Sequence, residues 1–198
     1  MFVHATNERP ATVDAELEVV LYKGGDTVVG RGARPMSLGP DANVELPVLE
    51  LFDGFQDLSY AYRFGPPSCD LVIATLRGPG GARLAEAFHF PVGLAFARER
   101  DLGLSVEITP TPGGDARLTV RTPRFAQAIA IDVDGFVPDD DHFHVAPGGE
   151  RTVHLLRATA PTGPRPAARG TLQALNATTS TTIVVPAFAP AVPPSDQP

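Results

Sequence analysis

Tryptophan is absent from this chain of 198 residues, tyrosine occurs three times and cysteine once. The lone Cys69 excludes an internal disulfide, so no cystine framework holds the fold. Its strand-like setting ahead of an apolar run reads as a packed, inert thiol. Basic residues number 16 against 23 acidic ones, a formal charge of −7, and no Lys/Arg cluster occurs. Phosphate-backbone binding needs such a cluster, so nucleic acid is excluded as a partner. No apolar run approaches the roughly 20 residues of a membrane-spanning helix. The start, Met1-Phe2-Val3-His4, lacks the charged-then-apolar layout of a signal peptide, which with the single cysteine favours a cytoplasmic setting. There is no nucleophile elbow, phosphate-binding loop or dinucleotide fingerprint, and hence no implied cofactor.

What is present is turn chemistry and period-two alternation. The 21 prolines and 19 glycines fall between apolar runs, the texture of an all-β protein with many short strands. Leu17, Val19 and Leu21 share one face of a run that ends in Lys23-Gly24-Gly25-Asp26, and Val28-Val29 begins the return strand. Leu71, Ile73 and Thr75 alternate with Val72, Ala74 and Leu76, turn at Gly78-Pro79-Gly80-Gly81 and return through Leu84 to Phe90. No stretch carries a helical stripe. Residues 94–101 read as a linker, after which Leu102, Leu104, Val106 and Ile108 restart the alternation. Further strands are expected around 116–122, 126–133, 142–145, 151–157, 169–176 and 181–185, with a similar number in the first half. The expected fold is therefore two tandem immunoglobulin-like β-sandwiches, residues 1–97 and 98–187, with a frayed Pro/Ala-rich tail over 188–198.

Three constellations carry possible chemistry. Asp139, Asp140 and Asp141 precede His142 and His144, which strict alternation puts on the same side of a strand. Carboxylates suit calcium and imidazoles suit zinc, so Asp139, Asp141, His142 and His144 are the candidate metal ligands. The simpler reading is an acidic loop leading into an edge strand, one Asp turning the backbone as an Asx motif. Tyr60, Tyr62 and Phe64 align on one strand face, with Phe52 and Phe55 upstream. Such a strip offers apolar faces to sugar rings, which makes Tyr60 and Tyr62 the candidate sugar-binding residues; core or domain packing is the competing use. Asn7-Glu8 resembles the Asn-Glu acid/base signature of a clan of retaining glycosidases, but such an enzyme needs two carboxylates about 5–5.5 Å apart on a rigid scaffold. No repeated strand–helix units of a barrel occur, so Glu8 reads as a turn residue before Pro10 and no catalytic residue is assigned. Asn176-Ala177-Thr178 fits a glycosylation sequon but falls within an expected strand.

The order of these pieces resembles the C-terminal immunoglobulin-like domains of β-mannosidases, in the clan of multidomain retaining glycoside hydrolases related to β-galactosidase. Asp139-Asp140-Asp141-His142-Phe143-His144-Val145-Ala146-Pro147-Gly148-Gly149-Glu150 is similar to the corner of their last domain. Phe2 to Glu8, Leu17 to Gly25 and the pair Leu71–Leu76 and Ala85–Phe90 are similar to strands of the domain that follows the catalytic barrel. Val133 to Phe136 and Gly170 to Asn176 match the final domain. Two departures are Asp141, where the family often has Asn, and His142, where it often has an aromatic residue. The resemblance implies a parent that removes terminal β-D-mannose, with its catalytic carboxylates in a barrel these 198 residues lack. It implies for this chain a non-catalytic, supporting role with that barrel as partner. A stand-alone carbohydrate-binding sandwich pair is the alternative, and the absence of tryptophan weighs against it. A secreted adhesin-like pair is a third reading.

Overall fold

The computed structural model describes residues 1–54, 57–58, 65–111, 114–158 and 167–187. The chain divides between Ala95 and Phe96 into two compact units. Both are all-β, each built from antiparallel sheets around its own core.

In the first unit six strands are described: β1 (Phe2–Thr6), β2 (Val13–Lys23), β3 (Thr27–Leu38), β4 (Asn43–Pro47), β5 (Leu71–Arg77) and β6 (Arg83–His89). They form a four-stranded sheet in the order β3-β2-β5-β6 and a two-stranded sheet β1-β4. The expected hairpins are both present. β2 turns into β3 through Gly24 and Gly25, both at positive φ, and β5 turns into β6 through Gly80 and Gly81, likewise at positive φ. Only residues without a Cβ take that conformation cheaply, which is why the glycines punctuate the pattern. Leu17, Val19 and Leu21 face the core with Val72, as period two requires. Cys69 is buried beside them, and burial pushes its thiol above the ordinary pKa, so it stays protonated and unreactive. It lies in the loop just before β5, not within a strand. The expected strand carrying Tyr60, Tyr62 and Phe64 lies outside the described residues, as does the tail over 188–198.

The second unit contains β7 (Ser105–Pro110), β8 (Ala116–Arg121), β9 (Ala126–Val133), β10 (Phe136–Pro138), β11 (Phe143–Val145), β12 (Glu150–Arg157), β13 (Ala168–Gln173) and β14 (Thr181–Val185). One sheet runs β10-β12-β8-β7 and the other β11-β9-β13-β14. Leu118, Val120, Val153 and Leu155 from the first sheet meet Ile129, Ile131, Leu172 and Ile183 from the second, all buried. This is the facing-sheet arrangement that alternate burial along each strand produces. Residues 96–101 are not a free linker. The Phe96 ring packs 5.1 Å from Phe125, the Glu99 N–H donates to Asn176 O, and the Thr178 N–H donates to Glu99 O. These contacts tie the segment to the second unit and place the division two residues ahead of the expected one.

Three expected strands change at their ends or within. The strand expected from 142 begins at Phe143, because His142 sits at φ +58 and turns the chain. The strand expected to reach 176 ends at Gln173, where the chain turns toward Ala177. β9 bulges between its pairing of Phe143 with Ile129 and of Val145 with Ala126, so three steps oppose two. Ala128, inside that bulge, stands at φ +42.

Gly32 in β3 is a position where absence of a side chain decides the packing. A Cβ there would lie 2.2 Å from the Leu51 carbonyl oxygen, in the 3-10 turn Val48–Leu51 that covers the strand. At Gly30 a Cβ would meet side chains and no backbone, Leu21 at 3.0 Å and Phe52 at 3.4 Å. Gly32→Ala is therefore expected to lower the stability of the first unit by about 1–3 kcal/mol in urea unfolding, with Gly30→Ala costing distinctly less. Equal effects at the two positions would show that the backbone clash is absorbed elsewhere.

Candidate functional site

The acidic corner is where the second unit changes sheets. β9 belongs to one sheet and β10 to the other, and β11 returns to lie beside β9. Residues 139–142 make that return. A crossing between sheets leaves backbone N–H groups that no ladder pairs, and each needs a partner when shielded from water. The acidic side chains supply them. Asp139 extends the β10-β12 ladder: its N–H donates to His154 O at 2.9 Å, and its Oδ1 accepts the His154 N–H at 2.7 Å. Asp141 does the same for the other sheet, its Oδ1 accepting the Ile131 N–H at 2.9 Å and the His142 N–H at 3.0 Å. The His142 N–H also reaches Ile129 O at 2.8 Å. Asp140 pairs with Arg151, whose guanidinium sits 5.7 Å from the centroid of the Phe143 ring. The three carboxylates thus bind across the corner, and none forms the local Asx turn expected from the sequence.

The two histidines separate. His142 is in the left-handed region, a place where His is commoner than most residues. Its ring is exposed and lies 3.2 Å from an Asp141 oxygen. His144 is half-buried in β11, its ring 5.7 Å from Phe125, and its Nδ1 accepts the Ala128 N–H at 2.9 Å. The left-handed turn at His142 breaks the alternation that put both rings on the same side of a strand. Among the described residues no group of three or more His, Cys, Asp or Glu side chains is arranged to hold a metal ion. The donor atoms of Asp139, Asp141 and His144 named above accept backbone hydrogen bonds instead.

His144 closes the bulge of β9 from one side, and Asn176 closes it from the other. The Asn176 side chain accepts the Gln127 N–H at 2.9 Å and donates to Phe125 O at 2.9 Å, while the Leu175 N–H donates to Gln127 O at 2.7 Å. Asn176 is 3% exposed and lies in a turn. Its amide is committed to the backbone, so the sequon it opens offers no accessible acceptor nitrogen in the folded state. Strand alternation carries no sign of this role, although an Asn following the apolar run of β13 is the residue type that satisfies a donor and an acceptor together.

In the first unit Asn7 plays a comparable part. Its Nδ2 donates to Ala11 O, Leu38 O and Gly39 O at 2.8–3.1 Å, and its Oδ1 accepts the Arg9 N–H at 3.0 Å. Asn7 is 4% exposed, whereas Glu8 beside it is exposed. The pair is thus a loop pin followed by a solvent-facing carboxylate.

Two outcomes follow from the corner. Asp141→Ala is expected to cost about 1–3 kcal/mol in chemical unfolding, because two N–H groups lose their acceptor. Asp141→Asn keeps an acceptor oxygen in place and is expected to cost distinctly less; equal losses would mean the charge, not the hydrogen bonds, matters. The second outcome concerns acid. Burial holds the His144 pKa below its ordinary value, and only the neutral ring accepts at Nδ1. A folded-state pKa below the unfolded one contributes stability that is complete above about pH 6.5 and is lost as the pH falls toward the folded value. His144→Gln, which does not titrate, is expected to flatten the pH dependence of unfolding below about pH 6.5 by up to about one proton. An unchanged acid limb in the variant would remove His144 from this role.

No protein-family model matches the chain, and no curated protein matches its sequence. Among solved structures, the β-D-mannosidase of Dictyoglomus thermophilum superposes with a TM-score of 0.63 at 11% identity, over 89% of this chain and 20% of that one. A glycosyl hydrolase family 2 member from Bacteroides cellulosilyticus is matched over 90% of this chain and 25% of that one, at 10% identity and a TM-score of 0.30, too low for any inference about structure. This chain spans about a fifth of the length of the first of these. At such identity the likeness is one of fold: the tandem β-sandwiches described above are similar to a part of a β-mannosidase.

Proposed function

We propose that this chain is the non-catalytic C-terminal part of a β-mannosidase, an enzyme that removes terminal β-D-mannose, and that it supports that enzyme's catalytic barrel. The observation that carries the reading is the fold likeness spanning 89% of this chain but only a fifth of a β-mannosidase. The motif order read from the sequence points the same way. The side chains of the acidic corner and of Asn7 act on backbone groups, which suits a supporting role. Chemistry by a retaining mechanism would need a pair of carboxylates about 5–5.5 Å apart with a sugar between them. That pair is assigned to the barrel, and the catalytic partner of this chain is the barrel itself. The two strand residues that would favour an independent sugar-binding module, Tyr60 and Tyr62, lie outside the described residues.

Antibodies against the purified chain test the reading in extracts of its source. Immunodepletion is expected to remove hydrolysis of a chromogenic β-mannoside together with a polypeptide several times larger than this chain, while the isolated chain turns over no substrate. Activity left wholly in the supernatant would overturn the proposal. If the isolated chain also bound β-1,4-mannobiose in a calorimetric titration, a free-standing carbohydrate-binding pair would replace it.

A further inference from the structure

Two residues, Asp134 and Gly135, carry the chain from β9 in one sheet of the second unit to β10 in the other. The switch is clamped at both ends. The Asp134 N–H donates to Arg169 O at 3.0 Å, and Gly135 O accepts the Ala158 N–H at 3.0 Å. Behind the switch Val133 pairs with Gly170, where a Cβ would lie 2.2 Å from Asp132 O and 2.7 Å from Val133 Cα. Ahead of it Phe136 pairs with Arg157, whose guanidinium stands 4.6 Å from the centroid of the Phe136 ring. The main chain has little slack here, least of all at its β9 end.

The reactive atoms of the same step are open. Asp134 and Gly135 are both exposed. Gly135 stands at φ +73, and nothing lies within 4 Å of the position a Cβ would take there. Among the described residues none holds the Asp134 carboxyl group in an ion pair, and none accepts the Gly135 N–H. A carboxyl carbon beside an unshielded glycine nitrogen can close a five-membered ring, whereas a side chain on the following residue would crowd that nitrogen. The chain has two Asp-Gly steps, and only Asp134-Gly135 lies between two described strands; Asp53-Gly54 runs directly into residues outside the described ones.

We propose that Asp134 is a site of spontaneous covalent modification, isomerising to isoaspartate through a cyclic imide formed with Gly135. The Gly135 nitrogen bonds to the Asp134 carboxyl carbon, and the carboxyl hydroxyl takes the amide proton and leaves as water. Water then adds back to the imide. Breaking the new N–C bond restores aspartate. Breaking the original peptide bond gives isoaspartate, with a free α-carboxylate and the main chain routed through Cβ and Cγ. Nothing is oxidised or reduced, and water is the only co-reactant. The product lengthens the main chain of the joint by one carbon. Close packing at Gly170 holds the end of β9, so the added length falls on Gly135 and β10. The Ala158 hydrogen bond and the pairing of Phe136 with Arg157 are the contacts it breaks. The inference stands apart from the enzyme reading, since it rests on the joint alone.

The test keeps the folded full chain at neutral pH and physiological temperature for several weeks, beside the peptide acetyl-Val-Asp-Gly-Phe-amide. Isoaspartate is located by electron-transfer fragmentation in a mass spectrometer. It is expected at Asp134 at a rate within about tenfold of the peptide's, because an exposed turn opens locally at little cost. Asp26, Asp101 and Asp115, each followed by a residue with a side chain, are expected to give several-fold less. Asp134→Glu, which would have to close a six-membered ring, is expected to abolish the signal at this position and to leave the urea midpoint of the fresh chain unchanged. The isomerised fraction, separated by hydrophobic-interaction chromatography, is expected to unfold at lower urea than the fresh chain. A rate more than about tenfold below the peptide's would mean that the clamped turn protects the step, and would overturn the proposal. An isomerised fraction with an unchanged midpoint would overturn the part assigned to Gly135 and β10.

Discussion

The second sandwich depends on satisfying backbone groups where the chain passes between sheets. Ladders pair the N–H groups that neighbouring strands turn toward each other, and the corner that leaves one ladder for another interrupts that pairing. Asp139 reaches the first sheet through His154, and Asp141 reaches the second through Ile131, each carboxylate standing in for the backbone carbonyl that a continuous strand would have supplied. Hydrogen bonds to a charged acceptor are the stronger kind. The Asp140 pair with Arg151 is largely solvated and contributes less. A run of acidic residues that looks like a ligand set is thereby accounted for as the joint between two sheets.

The same logic extends to the neighbouring bulge. An extra residue in β9 leaves the N–H groups of Gln127 and Ala128 off the ladder, and Asn176 and His144 accept them from two directions. The corner, β11, the bulge and the turn at 174–177 are consequently one connected polar network laid against a core of Phe125, Ile129 and Leu172. Networks of this kind fix a unique arrangement when fully satisfied and are costly when half satisfied. Rigidity of that sort suits the supporting role proposed for this chain. Sandwiches host many activities, and nothing in their architecture alone selects one.

Much of the strand content was legible because a half-buried strand imposes period two on its own sequence. Leu17, Val19 and Leu21 announce their face directly, and the glycine pairs at 24–25 and 80–81 announce their turns. The candidate sites were less legible. His142 and His144 are two apart, so alternation set them together, yet a single left-handed residue separated them. Glu99 and Phe96 looked like linker because their partners, Asn176 and Phe125, lie far along the chain. The sequon at Asn176 carried no trace of burial.

The sequence by itself determined the fold class, the hairpins and the approximate places of most strands, since these follow from local alternation and from glycine's freedom at positive φ. It also determined the charge balance, a formal −7 with no Lys/Arg cluster. The tertiary structure alone decided which polar side chains are consumed by backbone groups and which remain free. Asp139, Asp141, His144, Asn176 and Asn7 are consumed, whereas the Glu8 side chain beside Asn7 faces solvent. The physical reason is that a side chain's partner is set by which strands become neighbours, and in a sandwich those neighbours come from distant parts of the chain.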